Sequence, residues 1–253
     1  MSRGTPYKKL QNDLIDFIHG SNYIEFCGSD FTVTEKLCRR VFRGENIPAN
    51  VEARSLESHQ EIINHAQALN YAVGRIVLDG DQVTEELIKN IHKRLCSGDV
   101  LGEDGGYPGQ YRTWEIAARH GQDMKKKSVF IRASAVPQYM ADLIHDLRND
   151  MMDAEESRAI DPFDMANKYC HRLVCIHPFG DGNGRMCRIL LNILLLKYTG
   201  RISIFGGTDD EREEYLGIAR RANKRFHEED MEVPEEEKIG HRELAKYTLG
   251  KLK

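Results

Sequence analysis

The nine residues from His177 to Arg185 combine residue types that bind phosphate and move protons. Glycines stand at alternate positions of this segment, namely Gly180, Gly182 and Gly184. Such glycines let a backbone approach a ligand closely and turn its N–H groups toward the ligand. N–H groups gathered at the start of a helix bind anions, with phosphate the usual occupant. The segment therefore predicts a phosphate site.

The side chains of this segment suit the transfer of a phosphorus-containing group. Asp181 offers the hard oxygen ligand that Mg²⁺ prefers when it bridges phosphates. Arg185 can make a forked contact with a phosphate oxygen, and Arg188 shares its helix face three residues later. His177 titrates near neutral pH and can accept the proton of an attacking hydroxyl, so it is the candidate general base.

Other phosphate and metal motifs do not fit these residues. The chain has no Gly-x-x-x-x-Gly-Lys-Ser/Thr loop, and the dinucleotide fingerprint would need glycine where Arg185 stands. An EF-hand beginning at Asp181 would need glycine and glutamate where Met186 and Asn192 stand. Asp-Gly-Asn-Gly can also be an ordinary turn, and that alternative stays open on the residues alone.

Hydrophobic periodicity predicts helices that position this segment on both sides. One covers residues 164–176 and ends near His177, because the residue before Pro178 avoids helical geometry. The next runs from Arg185 to about Tyr198. Further helices are predicted at residues 10–20, 34–42, 56–76, 84–95, 137–147, 209–226 and 241–252. Two short strands at 111–116 and 128–131 predict an exposed hairpin, so the fold class is all-α with one small β-hairpin.

Composition limits the possible functions. The 253 residues carry a formal net charge of −4, which argues against a dedicated nucleic-acid partner. The longest apolar run, Ile189 to Leu196, is far shorter than the roughly 20 residues of a membrane span. Neither a membrane segment nor a signal core is visible, so a cytoplasmic or nuclear location is expected. The six cysteines lack paired spacing, which favours free thiols over a zinc site.

The segment from His177 to Arg185 resembles the signature of the Fic family, His-Pro-Phe-x-Asp/Glu-Gly-Asn-Gly-Arg, with every defined position filled. Arg188 completes the longer form of the signature, and the resemblance extends more weakly over about residues 21–222. It implies a Fic-type helical bundle, ATP as co-substrate with Mg²⁺, and transfer of AMP to a Ser, Thr or Tyr hydroxyl of a target protein. The retained Gly182 and Arg185 favour AMP transfer over phosphate transfer.

The resemblance also implies individual roles. His177 would be the general base and Asp181 the magnesium ligand, while Phe179 would anchor the loop. The hairpin is similar to the family's flap, which holds the target segment by backbone pairing. The nucleotide and phosphate contacts would be Gly182, Asn183, Gly184, Arg185, Arg188 and Tyr215, and the flap contacts Val129, Phe130 and Ile131. Tyr215 can equally be an ordinary helix-packing residue.

A second match lies near the N-terminus. Ser21-Asn22-Tyr23-Ile24-Glu25 resembles the family's inhibitory motif, Ser/Thr-x-x-x-Glu-Gly/Asn, in which Glu25 would pair with Arg188. Phe26 replaces the expected Gly or Asn, so the inhibitory turn is expected to differ. The chain is accordingly divided into an inhibitory segment (1–30), a catalytic domain (31–226) and an acidic linker with a last helix (227–253).

Several alternatives stay open at this point. The same residues could remove AMP from a modified protein, or the chain could be a non-catalytic nucleotide-binding module. The resemblance allows self-modification and a homodimer. The target protein and the base of the donor nucleotide are not readable from the residues.

Overall fold

The architecture is a bundle of α-helices with one β-hairpin at its edge. The structure is a computed structural model that describes residues 4–45, 47, 53–99, 106–120, 123–230, 232–234 and 237–253. In chain order the elements are α1 (Gly4–Ile24), α2 (Phe31–Phe42), α3 (Ala53–Ala72, continued as a π-helical turn Val73–Leu78), α4 (Glu85–Leu95), β1 (Ala117–His120), β2 (Asp123–Val129), a 3₁₀ turn (Ala133–Ala135), α5 (Val136–Ser157), α6 (Pro162–Ile176), α7 (Asn183–Thr199), α8 (Asp209–Glu229) and α9 (Arg242–Leu249).

Helix α7 is the centre of the bundle. Every residue from Ile189 to Leu196 is buried, Asn192 included. A helix that is apolar on all sides is buried inside a protein. The Asn192 amide is satisfied there, because its Oδ1 accepts the N–H of Ser203 and its Nδ2 donates to the Arg188 carbonyl. Among the described residues, none of the helices has the length and apolarity that crossing a bilayer requires.

The helix starts follow local capping chemistry. Helix α2 begins at Phe31, because the Asp30 carboxylate accepts the N–H of Val33. The helix predicted to begin at Thr34, with Thr34 as its cap, therefore begins three residues earlier: Thr34 is buried inside the first turn, and its hydroxyl donates to the Asp30 carbonyl. Thr84 caps α4, where its hydroxyl oxygen accepts the N–H of Leu87.

The β-hairpin is present, but its strands lie at other residues than predicted. Ala117 pairs with Val129 and Arg119 with Lys127 in an antiparallel register, whereas residues 111–116 form no strand. The predicted first strand is instead bound to α4 and to the loop after α6. Tyr111 donates its hydroxyl to Glu85, and the N–H of Arg112 donates to the Pro178 carbonyl. Residues 121–122, in the turn, lie outside the described residues.

The C-terminal region continues the bundle. Helix α8 ends at Glu229 rather than Phe226, because Glu229 is buried and accepts the N–H groups of Ile239 and Gly240. That carboxylate belongs to the region 227–253, whose first part was predicted as an acidic linker. The three-part division of the chain stays a prediction.

The cysteines are free thiols, as predicted. Five of them are buried, and Cys27 is half-buried. Burial raises the pKa of the Cys27 thiol to about 12, and burial does the same for Cys96. Both thiols are therefore protonated at neutral pH.

Candidate active site

The segment from His177 to Arg185 connects two helices through two left-handed backbone positions. Helix α6 ends at Ile176, and His177 caps it with φ 54°. Gly182 has φ 73° and precedes the first residue of α7. A Cβ at Gly182 would lie 2.7 Å from the Cys96 sulfur, so glycine is required there for both conformation and space. The N-terminus of α7 consequently opens toward the side chains of this segment.

Two buried side chains fix the shape of the loop. Asn183 uses both ends of its amide on Phe179: its Oδ1 accepts the Phe179 N–H at 2.9 Å and its Nδ2 donates to the Phe179 carbonyl at 2.8 Å. The Phe179 ring is buried, as predicted. Because the Asn183 amide is committed to the loop, only its backbone N–H is available to a phosphate.

His92 of α4 holds the loop from the other side. Its ring stacks on Phe179 with centroids 3.7 Å apart and an interplanar angle of 4°. Nδ1 accepts the N–H of Gly109 at 2.9 Å, so Nε2 carries the proton and donates to the Asp181 carbonyl at 2.9 Å. Burial lowers the pKa of His92 to about 4, which keeps this tautomer neutral.

His177 is arranged as a neutral base. Its Nδ1 lies 3.1 Å from the Val174 carbonyl, which can only accept, so Nδ1 carries the proton and Nε2 keeps its lone pair. The pKa of His177 is lowered to about 4, mainly by burial. The Arg112 charge also lowers the pKa, whereas the hydrogen bond to the Val174 carbonyl opposes this shift. The Phe130 ring stacks on the imidazole with centroids 3.7 Å apart.

Arg112 connects this base to the flap. Its guanidinium is buried and donates to main-chain carbonyls on both sides: His177 at 2.7 Å and Ile176 at 3.3 Å on α6, and Trp114 at 2.9 Å and Ile131 on the flap side. The nearest carboxylate, that of Glu115, is 3.9 Å away and largely exposed. Arg112 therefore serves main-chain carbonyls rather than a charged partner.

Arg185 is the unsatisfied group of the site. Its side chain is 5% exposed, and among the described residues its Nε and Nη1 have no hydrogen-bond partner. Its Nη2 lies 3.7 Å from the Asp181 carboxylate, which is itself 67% exposed. Leaving charged donors buried without a partner is costly. An anionic ligand at the start of α7 would satisfy them.

Arg188 is satisfied by helix α1. Its Nε donates to the Ser21 hydroxyl at 2.9 Å, and its Nη2 donates to the Ser21 carbonyl at 2.9 Å and to Glu25 at 2.7 Å. The arginine side chain is 1% exposed and that of Glu25 is 37% exposed. The structure thus brings together the three residues that the sequence placed in one inhibitory contact.

The Glu25 carboxylate lies directly on the signature loop. A Cβ at Gly184 would overlap the Glu25 carboxylate, so the carboxylate can occupy this position only because residue 184 is glycine. Burial raises the pKa of Glu25, but the charge and hydrogen bond of Arg188, with the charge of Arg185, outweigh it and hold the pKa below its usual value. An ionised carboxylate therefore stands among the groups that would receive a triphosphate.

Phe26 does not disrupt the end of α1. It takes a left-handed conformation with φ 56°, and its exposed ring lies against the Arg212 guanidinium, 3.7 Å from the ring centroid. Arg212 also donates its Nε–H to the Ile24 carbonyl at 2.9 Å. The turn therefore forms with a residue other than Gly or Asn, and Arg212 covers the ring.

The remaining predicted residues lie around this centre. Tyr215 is buried, stacked on Phe205 and beneath the Arg188 guanidinium at 5.5 Å, so its contact with a base stays a prediction. Ile131 is buried and accepts from Arg112, while Val129 is exposed.

The donor set fits magnesium only together with a phosphate ligand. The described residues contain no cluster of three or more His, Cys, Asp or Glu that could hold a metal ion by themselves. Asp181 supplies one exposed carboxylate beside the open donors of Arg185. Mg²⁺ is commonly bound by one or two carboxylates plus substrate phosphates and water, so the set fits a magnesium–nucleotide complex.

Comparison with known proteins defines the class of this site. Residues 82–195, which include the signature loop, match the Fic/DOC family. It is 29% identical over 152 residues to a protein adenylyltransferase Fic from Nematostella vectensis, and 28% identical over 149 residues to protein adenylyltransferase fic-1 from Caenorhabditis elegans. Each alignment covers 58% of this chain and 31% or 26% of the relative, so the chain spans about a third or less of these relatives' length.

Solved structures show the same fold. A Fic-domain signaling protein from Bacteroides thetaiotaomicron superimposes with a TM-score of 0.72 at 19% identity, covering 95% of this chain and 85% of that one. A variant of Fic-1 from C. elegans gives a TM-score of 0.68 at 19% identity, covering 99% of this chain and 64% of that one. The Fic-type helical bundle predicted from the sequence is confirmed.

Sequence reasoning did not assign roles to His92, Arg112 and Arg212. Arg112 fell only within the predicted strand 111–116, and no pattern marked the other two. Each acts through a main-chain carbonyl of a distant residue, at Asp181, His177 and Ile24 respectively. A contact of this kind depends on the folded backbone and leaves no spacing signal in the chain.

Proposed function

We propose that this protein transfers AMP from Mg-ATP to a Ser, Thr or Tyr hydroxyl of a target protein and that Glu25 inhibits this transfer. The observation that carries the proposal is the buried Arg185, whose Nε and Nη1 have no partner among the described residues, at the glycine-lined start of α7. The names of the adenylyltransferase relatives support the same chemistry.

The protein's own groups have distinct tasks in this reaction. His177 Nε2 takes the proton of the target hydroxyl, whose oxygen then forms a bond to the α-phosphorus as the bond to pyrophosphate breaks. Arg185 and the N–H groups at the start of α7 hold the phosphates, and Asp181 would hold Mg²⁺, which neutralises phosphate charge when bound. Catalysis of this kind depends mostly on alignment and electrostatic stabilisation.

The inhibition follows from competition for Arg188. A γ-phosphate near Arg188 would meet the ionised Glu25 carboxylate, which already accepts from that guanidinium. Like charges at this distance repel, so the triphosphate is displaced and the α-phosphorus is misaligned. Removal of the carboxylate leaves Arg188 free for phosphate.

Labelling of the protein itself provides the test. Wild type and Glu25→Gly are incubated with Mg-ATP, separately with Mg-GTP and Mg-UTP, and intact mass is measured. Addition of AMP units to Glu25→Gly, with less addition to wild type and none to Glu25→Gly/His177→Ala, is the expected result. If a binding assay shows bound Mg-ATP but no acceptor is ever labelled, the chain is a nucleotide-binding module instead.

The reverse reaction is the second candidate, and the position of Glu25 favours it. The carboxylate lies beside Gly184 and within electrostatic reach of His177, where it could orient a water molecule. Removal of AMP from a pre-modified protein by wild type, and its loss in Glu25→Gly, would identify this activity.

A further inference from the structure

A groove of about 570 Å³ lies beside the flap, between the end of β2 and the outer face of α8. Ser128 and Val129 form one wall, and α8 forms the other. The flap chain continues from Val129 to Phe130, which stacks on His177. A polypeptide lying in this groove would therefore run within a few residues of the candidate base.

The groove is held open by contacts between α8 and the flap backbone. The Val129 carbonyl accepts from His227 Nε2 at 2.7 Å and from Asn223 Nδ2 at 3.2 Å. These bonds fix the last residue of β2 against the helix, so the groove exists before any partner binds. A preformed site costs less ordering on binding than one that the partner must shape.

The groove is basic although the whole chain is acidic. Its α8 wall carries Arg220, Arg221 and Lys224, opposed by Glu228. The complete chain has a formal charge of −4, whereas the groove lining carries three cations and one anion.

Two of these cations remain available to a ligand. Lys224 is 81% exposed and lies 3.5 Å from Glu228, and Arg220 is 3.9 Å from Glu213. Exposed pairs at such distances contribute little, so carboxylates of a partner can replace them. Arg221, by contrast, is held by Glu243 in a forked pair with N···O distances of 2.6, 3.0 and 3.2 Å.

We propose that this groove binds an acidic segment of the target protein next to the hydroxyl that receives AMP. The proposal rests on the proposed function, because it names the class of target of the same site. The phosphates of the nucleotide belong at the start of α7, beside Arg185, so the α8 cations are not needed for ATP. Complementary charge raises the association rate and selects among partners, and salt weakens it.

The test uses the Glu25→Gly protein and three synthetic peptides with the same acceptor hydroxyl. One peptide has Asp and Glu around the acceptor, one has Lys and Arg, and one has Ser and Gly. We expect kcat/KM for AMP transfer to be at least about tenfold higher for the acidic peptide at low salt. This preference should fall toward equality at high salt.

Charge reversal in the groove localises the effect. Arg220→Glu/Lys224→Glu should lose the acidic preference through a higher KM for the peptide, while ATP binding and self-labelling stay unchanged. Lys36→Glu, an exposed position on α2 that faces neither β2 nor α8, is the matched control and should keep the preference.

Each of the following outcomes overturns the proposal. Equal labelling of the three peptides, or self-labelling without labelling of the acidic peptide, removes the groove as a target site and leaves the proposed function intact. A fluorescent single-stranded oligonucleotide that binds more tightly than the acidic peptide, or a dimer that Arg220→Glu/Lys224→Glu dissociates in sedimentation, assigns the groove to another occupant. If ATP labels neither protein nor peptide, the proposed function fails as well.

Discussion

Two buried arginines, Arg188 and Arg112, stand on opposite sides of the site and differ in their partners. Arg188 binds a carboxylate that a helix end supplies, together with a serine hydroxyl and a carbonyl. Within the part of the chain that the structure describes, the hydrogen bonds of the Arg112 side chain all go to main-chain carbonyls, two at the end of α6 and two on the flap side. A carboxylate can be exchanged for a phosphate, whereas main-chain carbonyls cannot leave. The first arginine therefore suits a switch, and the second suits a permanent link between base and flap.

The largest effect is expected from removal of the general base, His177, whose carbonyl Arg112 binds. His177→Ala, in the Glu25→Gly background, should lower AMP transfer about 10²- to 10⁴-fold, since a general base contributes a factor of this size. ATP binding should be unchanged, because the imidazole acts on the target hydroxyl. Single-turnover labelling and calorimetric ATP titration measure the two quantities. Transfer at the parent rate would contradict the assignment.

Removal of Arg112 tests the permanent link. Arg112→Ala should lower the free energy of unfolding by about 3 kcal/mol or more, because several buried carbonyls lose a charged donor. Arg112→Lys should recover only part of the lost free energy of unfolding, since one ammonium group cannot reach the carbonyls on both sides. Urea unfolding measures both. Arg40→Ala, which removes a partly exposed pair with Glu45, is the control and should cost about 1 kcal/mol or less.

Removal of Glu25 tests the switch. Glu25→Gly should raise AMP transfer about 10- to 150-fold, because a charged hydrogen bond of roughly 1.5–3 kcal/mol no longer holds Arg188. Glu25→Gln is the matched variant: it keeps the shape without the charge and should give an intermediate gain. Equal single-turnover rates for wild type and both variants would show that Arg188 is not a switch.

Acidification should weaken the folded state through the buried histidines. The pKa of His177 is about 4 in the folded protein against 6.5 for an ordinary histidine, so the unfolded chain binds more protons between these values. The stability contribution of neutral His177 is full above pH 6.5 and is lost as pH falls toward 4. Urea unfolding at pH 7 and pH 5 should show a smaller difference for His177→Gln than for wild type. An equal difference would mean that His177 does not titrate in this window.

The smallest effect is expected at Phe26. A non-glycine residue in the left-handed conformation costs roughly 1–2 kcal/mol, and Phe26→Gly removes this strain. The same substitution also removes the contact between the ring and Arg212, which contributes roughly 0.5–1 kcal/mol. We expect thermal stability to change by about 1 kcal/mol or less and the transfer rate by less than about threefold. Phe26→Asn, which tolerates the left-handed conformation but has no aromatic ring, is the control. A large gain in transfer would make Phe26 part of the switch.

Local sequence patterns predicted the candidate chemistry and the helices that carry it. The spacing from His177 to Arg185 predicted the phosphate loop, and apolar periodicity predicted the two helices around it. Both signals are local, because a nest of N–H groups and an amphipathic face are formed by residues close together in the chain. The Glu25–Arg188 pair was predicted from resemblance, and the structure places the two in contact at 2.7 Å.

Long-range packing, in contrast, sets how the loop is held and where the flap lies. The strands occupy 117–120 and 123–129 because Tyr111 and Arg112 are bound to α4 and to the loop after α6, a choice that strand propensity does not encode. His92 and Arg112 act on carbonyls of residues 89 and 65 positions away. A main-chain carbonyl is present at every residue, so the sequence cannot show which one a side chain will reach. The packing of the helices around α7 selects which carbonyl each side chain reaches.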